Sequence, residues 1–216
     1  MVTIEPVIFH NPPIKEVPMA AYPTISESTV VGTGSMVIGD VIIADDVFIG
    51  FYTVIRADSA FPYLIGARSN IQDFVHIHSH PSRYILADGR KLGVYIGEEV
   101  TILQHTAIHG PLYIGHNTFV GQQVSLYGAI IGANCLIMHR AVILNDVRIT
   151  AQRYVAPGQV ISCQAEADRL PPVPESYENL NAEMIDHYLR LGKSYQAHTP
   201  LVSGIAYPEN PAGPIS

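Results

Sequence analysis

One aliphatic residue recurring at every sixth position constrains this chain more than any other feature. Val31, Val37, Ile43, Ile49 and Ile55 stand six apart, and Ile65, Ile71 and Ile77 keep the step. Ile96, Ile102, Ile108, Ile114, Val120 and Leu126 resume it, and after one shortened unit Ile131, Ile137, Ile143, Ile149, Val155 and Ile161 complete it. Gly follows the aliphatic residue at Ile49, Ile65, Ile96, Ile114, Val120 and Ile131. Four places after it stands a small or β-branched residue at Val47, Thr53, Ser69, Val75, Val100, Thr106, Thr118, Val124 and Cys135. A period of six fits neither the 3.6-residue helix nor a strand that alternates in and out. It predicts an all-β fold, a parallel β-helix of triangular coils with about three hexads to a coil and the aliphatic residues stacked inside. Cys135 is then an inward packing residue rather than a reactive thiol.

Two interruptions and a different tail complete the organisation. Four extra residues separate the hexad of Ile55 from that of Ile65, and residues 79–95 (SHPSRYILADGRKLGVY) read as an excursion loop of polar and turn residues. In 174–192, Tyr177, Leu180, Met184, Ile185, Tyr188 and Leu189 fall at helical spacing, with Ser176 as the expected N-cap and Gly192 as the expected stop. The division expected is an N-terminal extension over 1–22, a β-helix over 23–170, a helix with its lead-in over 171–198, and a flexible tail over 199–216.

Composition narrows the function classes. Charged residues make up 14% of the chain, against about 25% in soluble domains, which suggests that surface is hidden in an oligomer. A net charge of −7 argues against nucleic acid or an anionic membrane as the main partner. There is no run of about 18 apolar residues for a membrane span and no basic start leading into an apolar stretch for a signal peptide. Two cysteines, Cys135 and Cys163, provide no disulfide framework and suggest a reducing, cytoplasmic location.

The histidines take their meaning from the period. His105 and His109, four apart, would be a chelating pair on a helix. On a β-helix they belong to different hexads around a corner. Arg56, His78 and His109 each follow their aliphatic residue directly, and their hexads lie one coil apart if the loops replace no hexad. They are expected to stack on one outer face, about 5 Å from coil to coil. Gln72 takes the same position on a neighbouring face. His76 and His80 flank His78 at alternating spacing and are either solvated residues or alternative ligands, the non-ligand role being the expectation.

The stretches IRADSAFPYLIGARSNIQDFVHIH, VTILQHTAIHGPLYIG and YVAPGQVISCQAEADRLPPV resemble the γ-class carbonic anhydrases over roughly residues 20–195. The motifs I-R-A-D, N-I-Q-D and I-H-G-P are specific to that branch and disfavour the hexapeptide acyltransferases, which share the repeat. The resemblance implies a left-handed β-helix with a C-terminal helix, a homotrimer, and interfacial sites holding zinc or ferrous iron for the hydration of CO2 to bicarbonate. It places His78 and His109 on two metal ligands. It matches Arg56, Asp58 and Asp73 to structural and interface ion pairs, with Arg56 also at the site. Gln72 matches the glutamine that orients the metal-bound solvent, and Asn70 the asparagine of the same motif.

Three positions depart from that pattern. The third ligand, contributed across the interface, falls on Gln104, with His105 one place away as its possible substitute. The glutamate that acts beside the metal water is Ser59, and the proton-shuttle glutamate aligns with Pro81. Two expectations follow: a carbonic anhydrase weakened at these positions, or an inactive homotrimeric scaffold that has kept the fold.

Overall fold

The structure is a computed structural model and describes residues 5–198. The hexads form three flat faces joined by tight corners, and each face is a stack of short parallel strands. On the first face Ile8, Val37, Ile55, Ile77, Ile108, Leu126, Ile143 and Ile161 are paired in register. The second stacks Ile25, Ile43, Ile65, Ile96, Ile114, Ile131 and Ile149. Val31, Ile49, Ile71, Ile102, Val120, Ile137 and Val155 line the third. Every residue of the six-step series lies in one of these columns, almost all of them fully buried. A γ-branched or β-branched side chain at each level fills the narrow interior without a polar group to satisfy.

The residues four places on turn inward too, where they finish the corners. Thr53 Oγ1 donates to the Gln72 carbonyl (2.6 Å), Ser69 Oγ to that of Gly97 (3.0 Å) and Thr106 Oγ1 to that of Gly121 (2.9 Å). Carbonyls that a tight corner withdraws from the strand ladder thereby gain partners, which removes an otherwise costly buried acceptor. Cys135 does the same work with its thiol, 3.2 Å from the Thr150 carbonyl, and burial pushes its pKa up.

At two corners one residue per coil takes left-handed backbone angles, although most of these residues are not glycine. Tyr52, Phe74, His105, Gln123 and Arg140 form one such column, and Asp46, Arg68, Glu99, Asn117, Asn134 and Gln152 the other. A side chain there costs about 1–2 kcal/mol in isolation. Coil-to-coil contacts offset that cost: Tyr52 stacks on Phe74 and Phe74 on His105, Arg68 pairs with Glu99 (2.9 Å), and Asn117 donates to Asn134 (2.8 Å).

Four expectations change. The N-terminal extension is not separate, because Val7–Phe9 adds a parallel strand to the first face beside Met36–Gly39. The excursion loop carries a hairpin, Ile85–Ala87 with Arg90–Leu92. Its Ile85, Ala87 and Leu92 pack on Leu64, Tyr95, Tyr113 and Ile130, the outward residues of the second face. The polar residues are at its tip, while its apolar half follows a hairpin alternation that the six-step period hid.

After a short helix α1, Gln164–Ala167, and a single 3-10 turn at Glu175–Tyr177, the long helix α2 runs Leu180–His198. Ser176 lies within that turn and caps nothing. Gly192 does not stop the helix: it is buried inside it, facing Val30 and Phe48 of the third face. The expected tail, 199–216, lies outside the described residues. Among the described residues no helix is long and apolar enough to cross a membrane.

Candidate metal centre

The register of the first face brings the expected pair together. His78 and His109 are directly paired, their rings edge to face with centroids 5.3 Å apart. The insertion between them therefore replaces no hexad. Arg56 lies one coil below and forms a 3.0 Å ion pair with Asp58. The other oxygen of Asp58 is buried and lies 3.2 Å from His78 Nε2, close but not aligned as a hydrogen bond. Burial lowers the pKa of His78; the positive charge of Arg56 and the neighbouring His109 lower it further, against the opposing pull of Asp58. His78 is thus held as the neutral imidazole, the form that binds metal.

His109 is half-buried, and its Nδ1 is buried with no hydrogen-bond partner. On its far side Tyr127 stacks at 4.4 Å with the planes only 15° apart. Two adjacent imidazoles on one outer face fit a metal that favours nitrogen donors such as zinc. Among the described residues no three His, Cys, Asp or Glu side chains are grouped so as to hold a metal. The first-face pair therefore needs a donor from elsewhere.

Gln104 lies in the turn that follows the third-face strand Thr101–Ile102 and is not brought onto the column of His78 and His109. Its amide is bound at both ends: Nε2 donates to Gln72 Oε1 (2.6 Å), and Oε1 accepts from Gln122 Nε2 (2.9 Å). Gln72, 1% exposed, donates to Asn70 Oδ1 (2.9 Å), and Asn70 to Thr101 Oγ1 (3.0 Å). Five side chains thus form one directed hydrogen-bonded ladder. Gln122 and Thr101 are the members that sequence reasoning missed; Gln104 and Gln122 are 18 residues apart, one uninterrupted coil, which was the available signal for Gln122.

His105 occupies a left-handed corner, exposed, with its ring stacked on Phe74 at 5.0 Å. Ser59 is 3% exposed and donates to the Phe61 carbonyl (3.2 Å), so it faces into the four-residue insertion and not outward. Beside it Tyr63 is fully buried, and burial raises its pKa far above the ordinary phenol value. Pro81 accepts from the Ala60 amide (2.9 Å), tying the loop after His78 to the same insertion. Asp73 accepts from the Phe51 amide (2.8 Å), a bond within the chain. His76 is exposed, as expected.

No family model matches the sequence. A carbonic anhydrase from Methanosarcina thermophila is 30% identical over 201 residues, covering 88% of this chain and 81% of its own length. The chain belongs to the γ-class carbonic anhydrase family. A carboxysome assembly protein from a Nostoc species is 40% identical over 150 residues, 69% of this chain. One from Synechococcus elongatus is 37% identical over 168 residues, 77% of this chain. The chain spans only 27% and 31% of the lengths of these two assembly proteins. Within the γ-class frame, the paired histidines lie in the I-H and I-H-G-P segments quoted above, and the glutamine ladder begins in N-I-Q-D.

Proposed function

We propose that the chain is a γ-class carbonic anhydrase working as a homotrimer in the cytoplasm. It would catalyse the reversible hydration of CO2 to bicarbonate, with zinc or ferrous iron, at a rate reduced by its own side chains. The observation that carries this reading is the direct pairing of His78 with His109 on one outer face. Bound there, the metal would act as a Lewis acid that makes a water nucleophilic near neutral pH. His78 and His109 would hold it from one subunit, and Gln104 of a neighbouring copy would face it in place of a third imidazole. An amide oxygen is a neutral, weaker donor for zinc than imidazole, and here it already accepts from Gln122. Ser59 provides no carboxylate beside the site, and Pro81 no titrating group to carry the proton away, so proton removal becomes the slow step.

Metal content and stopped-flow CO2 hydration, on protein prepared with zinc and separately with iron under anaerobic conditions, test the reading. Stoichiometric metal that disappears in His109→Ala, with measurable hydration, supports it. Gln104→His is expected to tighten metal and raise the rate. A second reading is favoured by Gln104, whose amide is bound at both ends within its own chain. On this reading the chain is an inactive homotrimeric scaffold, as the assembly-protein relatives suggest. Metal-free, inactive trimers that Gln104→His does not rescue would establish it.

A further inference from the structure

A histidine that binds metal usually donates its other ring N–H to a carboxylate or carbonyl, and that bond fixes the tautomer and the ring angle. His109 has no such bond: Nδ1 is buried without a partner. Packing must hold the ring instead. His78 meets it edge-on at 67°, a contact that blocks one face and leaves the tilt free. Tyr127 lies almost parallel, 15° away at 4.4 Å, and can fix that tilt.

The backbone under Tyr127 is itself pinned. His109 and Tyr127 are the last directly opposed pair before the register shifts between His109 and Leu112. The shortened hexad, Leu126 to Ile131, begins there, and Gly128 turns it with left-handed backbone angles. A Cβ on Gly128 would lie 2.5 Å from Asp146 Oδ1, and Asp146 is in turn paired with Arg83 of the excursion loop (2.6 Å). The phenol ring is therefore carried by the strand Ser125–Ile131, at the point where its register shifts.

We propose that Tyr127 is the positioning residue of His109, setting by ring stacking the angle that a hydrogen bond sets elsewhere. The role in metal binding rests on reading His78 and His109 as a metal pair; the stacking itself does not. Tyr127 is 52% exposed, so its replacement is not expected to unfold the chain.

The test compares Tyr127→Phe, which keeps the ring, with Tyr127→Leu and Tyr127→Thr, which remove it. In metal-free protein labelled at histidine, the ring protons of His109 are expected to show an upfield ring-current shift in wild type and Tyr127→Phe. In the Leu and Thr variants that shift is lost. Cobalt(II) titration followed by its visible absorption is expected to give Tyr127→Phe a Kd within about 3-fold of wild type. The other two are expected to weaken by about 10-fold or more, the range for lost support of a ligand histidine. Unchanged His109 shifts in Tyr127→Leu, or a Phe variant as weak as the Leu variant, would overturn the proposal. Wild type that binds no cobalt but shows the shifts would sink the metal reading and leave the positioning of the ring standing.

Discussion

Replacing Gln104 with leucine tests whether the glutamine ladder is a structural element. Gln72 is 1% exposed, and Gln104 is the donor to its Oε1, so the substitution leaves a buried acceptor unpaired. An unmet buried group of this kind costs about 1–3 kcal/mol. At the other end Gln122 is exposed and turns to water at little cost. The leucine methyls cover part of the same surface, so the net loss is expected near the middle of that range, about 2 kcal/mol. In a chain of this size that lowers Tm by about 4–8 °C. Gln122→Leu removes only the exposed rung and is expected to cost under about 0.5 kcal/mol. Gln72→Leu combined with Gln104→Leu is expected to cost less than the sum of the two, because the orphaned acceptor goes with Gln72. Urea and thermal unfolding at matched protein concentration measure all four proteins. Equal losses for Gln104→Leu and Gln122→Leu, or a neutral Gln104→Leu, would refute the ladder.

Gly50→Ala is expected to destabilise by about 1–3 kcal/mol or more. Its Cβ would lie 2.6 Å from the Asp73 backbone nitrogen and 2.7 Å from the Gln72 carbonyl carbon of the next coil, and neither can yield. Gly192→Ala is expected to do the opposite, since its Cβ would sit at an ordinary 3.5 Å from Val30 Cγ2. The helix there gains up to about 1 kcal/mol of propensity, and calorimetry should show a raised Tm. Of the two cysteines, Cys163 is exposed, whereas Cys135 is buried with its thiol pKa raised by burial, which keeps it protonated. A disulfide-exchange reagent at pH 8 is therefore expected to titrate one thiol per folded chain and two after unfolding.

How much of this was legible depended on whether a feature repeats. The three columns were readable because each hexad restates the same geometry, and the pairing of His78 with His109 followed once the insertion was taken to replace no hexad. The position directly after Leu126 is the same one, so Tyr127 was visible in principle on that column. The ladder was not: Gln72 and Gln104 are 32 residues apart because the insertion intervenes, and nothing local marks a shared amide chain. Gly192 misled because glycine after a helical pattern signals an end, whereas here the helix continues to His198 and is held by its packing on Val30 and Phe48. The hairpin at 85–92 was missed because its period of two is short and embedded in turn residues.

That hairpin leaves and rejoins the solenoid without disturbing the alignment of the rungs on either side, since Ile77 still meets Ile108 and Ile65 still meets Ile96. The interior does not register how long the detour is. Evolution can therefore lengthen, shorten or recompose what surrounds the two histidines while their spacing stays fixed by the rungs. Diversity within such a lineage should concentrate in the detour, as alternative rims fitted to one unchanging spindle.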